Sequence, residues 1–167
     1  EICRALAAEG VRVAVNYSRS EAEATRLVDE IAAAGGAARP VRANIADYDA
    51  VRAMIDGIVE DWGRIDILVN NAGYVKYQRF LETGPEDWKP QLDVCTYGAL
   101  HCTHAAAAHM ARQQHGRIVN IVGDSSRIGE ANLSIAAAAR GATIALGKSV
   151  AKELGRNGVT VNTVALG

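Results

Sequence analysis

Short β-branched runs alternate with stretches of helical periodicity along the whole chain, and that alternation constrains the fold more than any other feature. Residues 11–15, 38–45, 65–70, 117–122 and 158–164 read as strands. Between them, residues 21–34 place Ala24, Leu27, Val28 and Ile31 at helical spacing, and Gly35-Gly36 ends that helix as a C-cap. Asp47 is placed to cap a helix with Val51, Met54, Ile55, Ile58 and Val59 on one face. Two longer helices are expected over residues 86–109, with Pro90 in the first turn, and over the Ala-rich residues 132–154. Residues 2–9 read as the end of a further helix, stopped by Gly10.

Strands separated by helices of a dozen or more residues are the mark of βαβ units and a parallel sheet. The nearly continuous apolar run Ile65-Asp66-Ile67-Leu68-Val69 suits a parallel strand covered on both faces. Right-handed crossovers then give a doubly wound sheet whose ligands sit at the carboxyl ends of the strands. The expected fold is therefore α/β, an incomplete doubly wound parallel (Rossmann-like) sheet of five strands, in a single domain over residues 1–167.

Composition excludes several classes. The net charge of -1 and 5% aromatic content give neither a basic footprint nor a base-stacking surface, so no nucleic-acid partner is expected. No apolar run approaches the ~20 residues of a membrane span, and no signal-peptide pattern opens the chain. Cys3, Cys95 and Cys102 form no C-x-x-C pair, which fits a reducing cytoplasm. His101 and His104 share a helix face with Cys102 nearby, but no third ligand stands at recognisable spacing, and no metal is expected.

The most informative segment is Gly63-Arg64-Ile65-Asp66-Ile67-Leu68-Val69-Asn70-Asn71-Ala72-Gly73. It is a buried strand running into a turn of small polar residues, where Asn bonds neighbouring backbone and Ala and Gly let a flat ligand approach. Arg117-Ile118-Val119-Asn120-Ile121, Gly147-Lys148-Ser149 with Glu153-Leu154, and Gly158-Val159-Thr160-Val161-Asn162 follow in order. Together these motifs resemble the short-chain dehydrogenase/reductase family over essentially the whole chain, and most closely its beta-ketoacyl-acyl-carrier-protein reductase branch.

That resemblance implies a nucleotide site and an NADP-linked carbonyl reductase or alcohol dehydrogenase acting on 3-oxoacyl thioesters or ketones. It also implies a preceding strand and Gly-rich pyrophosphate loop that this sequence does not contain, so the chain reads as truncated at both ends, with weak or absent NADP binding. The implied cofactor residues are Tyr17, Ser18, Arg19, Asn44, Ile45, Asn71, Ala72 and Gly73. No carboxylate stands before Glu21 to hold a ribose 2'-hydroxyl, and Arg19 is suited to a 2'-phosphate, so NADP is expected over NAD. Asn44 replaces the Asp that family members usually place against the adenine amino group.

The family's catalytic Tyr, the Lys four residues later, the Ser thirteen before the Tyr and an Asn in the preceding helix align with Ala136, Arg140, Gly123 and Cys95. Ala136 has no proton to give, Gly123 has no side chain, and Cys95 is a weak hydrogen-bonding group. No tyrosine follows Tyr97, so no shifted register restores Tyr-x-x-x-Lys. No catalytic residue is therefore expected, and an inactive scaffold or partner subunit is the alternative to an oxidoreductase. Asp124, Ser125 and Ser126 lie beside the Ser position and either line the same cleft or, as the preferred reading, form a polar loop. Lys76 and Arg79 are either contacts for an anionic acyl carrier or solvated loop charges. A homotetramer built through the two long helices is implied, with Ala138, Ala139, Ala142 and Ala145 permitting close packing.

Overall fold

The computed structural model describes residues 1–167. The chain forms two compact units, Glu1–Asn44 and Ile45–Gly167. All strand pairing is parallel.

In the first unit, β1 (Val13–Tyr17) pairs with β2 (Ala38–Arg42). Helices α1 (Ile2–Ala8) and α2 (Glu21–Ala33) bury Ala7, Ala24 and Ile31 against Val13 and Val15. Residues alternate in and out along β1, so Val13 and Val15 share the covered face. Gly10 and Gly35 have φ of +81° and +84°, the left-handed conformation that lets each helix stop and turn into a strand.

In the second unit, β3 (Ile67–Asn70), β4 (Gly116–Gly123) and β5 (Val159–Leu166) form a three-stranded sheet in that order. The β4–β5 pairing is longer than the sequence predicts, because β5 runs on to Leu166. Helices α3 (Tyr48–Trp62), α5 (Gly98–Gln113) and α7 (Ser134–Leu154) cover the face that carries Ile118, Asn120 and Val122. Val51, Ile55, Met110, Ile118 and Val159 form the centre of this core, each at most 2% exposed. Asp47 caps α3 as expected, its Oδ1 accepting the Ala50 N–H at 3.1 Å.

The expected helix over residues 86–109 is not uniform. It is α4 (Pro85–Leu92), a π-helical segment (Asp93–Tyr97) and α5. Pro90 therefore lies in the second turn of α4, not the first, and the helix departs from regular geometry only after it, at Asp93–Tyr97. Gly98 follows the π segment because Ile45 packs where its Cβ would be, Cδ1 at 2.5 Å. Short elements invisible to the periodicity also occur: a 3-10 turn at Phe80–Glu82 and the helix α6 (Ser125–Ile128). Helix α7 begins at Ser134 rather than at residue 132, since Asn132 takes a φ of +66°.

Candidate functional site

At the carboxyl end of β3 the chain enters the exposed turn Asn71-Ala72-Gly73. Behind it, Asn70 donates through Nδ2 to Asn120 Oδ1 at 2.8 Å and to Thr103 Oγ1 at 3.0 Å. Asn120 and Thr103 are 2% and 3% exposed, so this polar bridge joins β3, β4 and α5 inside the core. Gly147 on α7 leaves room for it: a Cβ there would stand 3.0 Å from Asn120 Nδ2.

Cys95 is buried in the π segment, with Sγ 3.5 Å from both the N–H and the carbonyl of Tyr74. Its own carbonyl accepts the Thr143 hydroxyl at 2.9 Å, and the Thr96 hydroxyl donates to Ala139 O at 2.8 Å. The widened π turn therefore presents backbone and hydroxyl groups to α7. Helix α7 in turn places Ala136, Arg140 and Thr143 on successive turns.

Arg140 donates through Nη1 to Ile121 O on β4 at 2.5 Å, and its guanidinium lies against Gly73. Gly123 closes β4, and the Ser125 hydroxyl stands 3.3 Å from the point where a Cβ on Gly123 would be. Cys95, Gly123, Ala136 and Arg140, distant in sequence, thus gather around one end of the β3–β4 pair. Ala136 is buried at 4% exposure. Sequence reasoning misses Thr96 and Thr143. The available signal is a threonine on the inward face of an otherwise Ala-rich helix.

The remaining expected residues fall as follows. Tyr17 ends β1, and the exposed Ser18 and Arg19 follow it. Partial burial pushes the Tyr17 phenol up, reinforced by neighbouring Glu21. The Asn16 amide donates to Ala43 O at 3.0 Å, fixing the two strand ends of the first unit together. Asn44 is exposed. Ile45 is half-buried on Gly98, and its carbonyl accepts from His101 Nδ1 at 2.9 Å. His104 Nδ1 bonds Tyr48 Oη at 2.8 Å. Burial pushes the Cys102 thiol up to about 11, which leaves it a protonated core group at neutral pH.

Lys76 is held by a partner of the protein's own, whereas Arg79 stays a solvated loop charge with one distant carboxylate. Lys76 Nζ lies 2.5 Å from Asp87 Oδ1, and Arg79 Nη1 lies 3.9 Å from Glu82 Oε1. The Lys76 bond, followed by the Gly84 N–H at 3.1 Å, holds the Asp87 carboxyl below the usual carboxylate range. Asp87 raises Lys76 in return. A lowered carboxyl stabilises the fold above its unfolded pKa of ~4, and that contribution is lost as pH falls through the folded value. Asp87→Asn should therefore lower the melting temperature at pH 7, with the gap closing in acid. A gap of equal size at pH 7 and pH 2 would show that the pair contributes nothing electrostatic.

The parallel sheets flanked by helices, with a small-residue turn after β3, define a Rossmann-like α/β protein. The chain belongs to the short chain dehydrogenase family, whose model matches residues 1–167. It is 42% identical over 163 residues to a 3-oxoacyl-acyl-carrier-protein reductase of Synechocystis sp., covering 98% of this chain and 66% of that protein. A reductase of the same name from Staphylococcus aureus is 39% identical over 165 residues, covering 97% of this chain and 66% of its own length. Among solved structures, a gluconate 5-dehydrogenase from Burkholderia cenocepacia, in complex with NADP and tartrate, superposes with a TM-score of 0.92 at 32% identity. That match covers 98% of this chain and 64% of the other. The chain spans about two thirds of the length of the curated relatives that it matches.

Proposed function

We propose that this chain is a short-chain dehydrogenase/reductase subunit derived from NADP-linked reductases of ketones or 3-oxoacyl thioesters, and that it does not itself carry out the reduction. It acts as a scaffold or partner subunit. The observation that carries this reading is Ala136, buried on α7 one turn before Arg140, at the position that the family resemblance aligns with the proton-donating tyrosine. Hydride transfer to a carbonyl needs a proton delivered to the developing alkoxide, and no side chain at Ala136, Gly123 or Cys95 supplies or polarises it in the usual way. Active NADP-linked reduction is the second reading, favoured by identity of 42% to a reductase over nearly the whole chain.

Both readings share the cofactor class. The exposed Arg19, two residues after β1 and without a preceding carboxylate, supports selection of a 2'-phosphate. Association through helices is supported by Ala138, Ala142 and Ala145, which are exposed along α7, together with Trp88 and Leu92 on α4 and Leu100 on α5. Ala139 is excluded from that surface because it is fully buried in the core, contrary to the sequence expectation. No helix is long and apolar enough to cross a membrane, and three unpaired cysteines support a reducing, cytoplasmic setting.

Calorimetric titration of the complete natural polypeptide tests the cofactor half of the proposal. NADP should bind at least ~10-fold more tightly than NAD, a difference of one charge-assisted contact, and Arg19→Ala should erase the preference. Equal affinities in the unaltered protein would remove Arg19 from the site.

A further inference from the structure

We propose that Arg140 occupies the place of the nicotinamide ribose, so that the Gly73 end of the second unit excludes the nicotinamide half of the nucleotide. The choice of ligand rests on the Arg19 reading above, whereas the closure by Arg140 rests on the second unit alone.

Gly73 is where the close approach of a flat ligand is expected, since a glycine leaves its Cβ space open. Here that space is filled from within. A Cβ on Gly73 would overlap Arg140 Nη2, with Cζ at 2.9 Å and Nε at 3.7 Å. The other arm of the same guanidinium is fixed, Nη1 donating to Ile121 O at 2.5 Å. One side chain therefore spans from α7 to β4 and to the turn after β3. A lysine ammonium is a single point on its stem and cannot occupy both places at once, whereas the planar fork of arginine can.

The helix behind Arg140 is also held. Thr96 bonds the carbonyl of the preceding residue, Ala139, and Thr143 bonds Cys95 O less than one turn later. A ribose entering against Gly73 must expel the guanidinium and strip Ile121 O of its charged donor. The residues at this end thus do not fit an intact dinucleotide. The nicotinamide half adds no affinity, and Arg140 is a specificity-determining residue rather than a holder of ribose.

The complete natural polypeptide is titrated with NADP and with 2',5'-ADP, the adenine-side fragment of NADP, alone and as Arg140→Ala. The unaltered protein should bind the two within about twofold of each other. Arg140→Ala should tighten NADP by ~10-fold or more, one or more 1.4 kcal/mol increments, and leave 2',5'-ADP unchanged. NADP binding ten times tighter than 2',5'-ADP in the unaltered protein would overturn the proposal. Hydrogen exchange of the ligand-free protein provides the independent arm. Arg140→Ala, and equally Arg140→Lys, should accelerate exchange in the peptide spanning residues 71–75. Unchanged exchange there would show that Arg140 is not seated on the turn and would overturn the proposal whatever binds. Absence of 2',5'-ADP binding would instead remove the Arg19 reading, with the exchange result still deciding on Arg140.

Discussion

The double substitution Ala136→Tyr with Arg140→Lys is expected to leave the protein without measurable ketone reduction. A positioned general acid is worth ~10²–10⁴-fold, and groups that act as a unit are strongly non-additive. Supplying the tyrosine and its lysine still leaves Gly123 without a hydroxyl to polarise the carbonyl, and Cys95 without an amide to relay the proton. The tyrosine must also enter a site where Ala136 is only 4% exposed. Overpacking of that kind costs about 1–3 kcal/mol unless neighbouring side chains move. Adding Gly123→Ser and Cys95→Asn should raise turnover above the double variant, provided that the introduced side chain and the Ser125 hydroxyl, now 3.3 Å from the Gly123 Cβ position, can coexist. Steady-state NADPH oxidation with a beta-ketoacyl thioester distinguishes the steps. Full activity in the double variant would mean that Ser125 or another group already polarises the substrate.

Asn120→Ala should be among the most destabilising substitutions in the second unit. It removes the acceptor for Asn70 and leaves a part-buried amide proton without that partner, and it opens a gap at the fully buried Asn120, at ~2–3 kcal/mol in all. For a chain of this length that lowers the melting temperature by ~5–10 °C. The paired variant Asn70→Ala with Asn120→Ala should cost less than the sum of the two singles, because neither orphaned group then remains. Strict additivity in urea unfolding would show that the bridge between β3 and β4 is not an energetic unit. The same bridge bears on function, since it fixes the strand ends from which the Gly73 turn and Gly123 project.

The fold is legible because two periods, near 2 and near 3.6, carry most of the information about a parallel α/β chain. The strand Ile67–Asn70 lies inside its predicted run, Gly116–Gly123 extends its predicted run by one residue at each end, and their pairing is parallel as expected. Asp47 shows why caps read well: one side chain and one backbone donor suffice, both local in sequence. The π segment is hidden because Asp93-Val94-Cys95-Thr96-Tyr97 keeps an ordinary helical composition. Its extra residue per turn is set by the contacts of Cys95 with Tyr74 and Thr143, partners 21 and 48 positions away. The division into two hydrogen-bonded sheets is also beyond local pattern, since strand adjacency depends on the whole topology.

For the site, position-by-position alignment tells which side chains stand where, but not what they do with the space. In the sequence Lys76 reads as a free cation, whereas in the fold Asp87, eleven residues on, holds it. In the sequence Arg140 is a charged residue at the position that the resemblance gives to the family's lysine. Its bond to Ile121 and its place against Gly73 make it part of the protein's own packing. Neither contact has a sequence signature, because each joins elements that only the folded chain brings together.

The most direct test of a subunit without its own reductase chemistry is NADPH consumption by the purified, complete, unaltered polypeptide against a panel of ketones and beta-ketoacyl thioesters. The expected result is no oxidation above the rate without protein. Sustained turnover that is lost on Ser125→Ala would contradict the assignment and place working carbonyl chemistry in this chain.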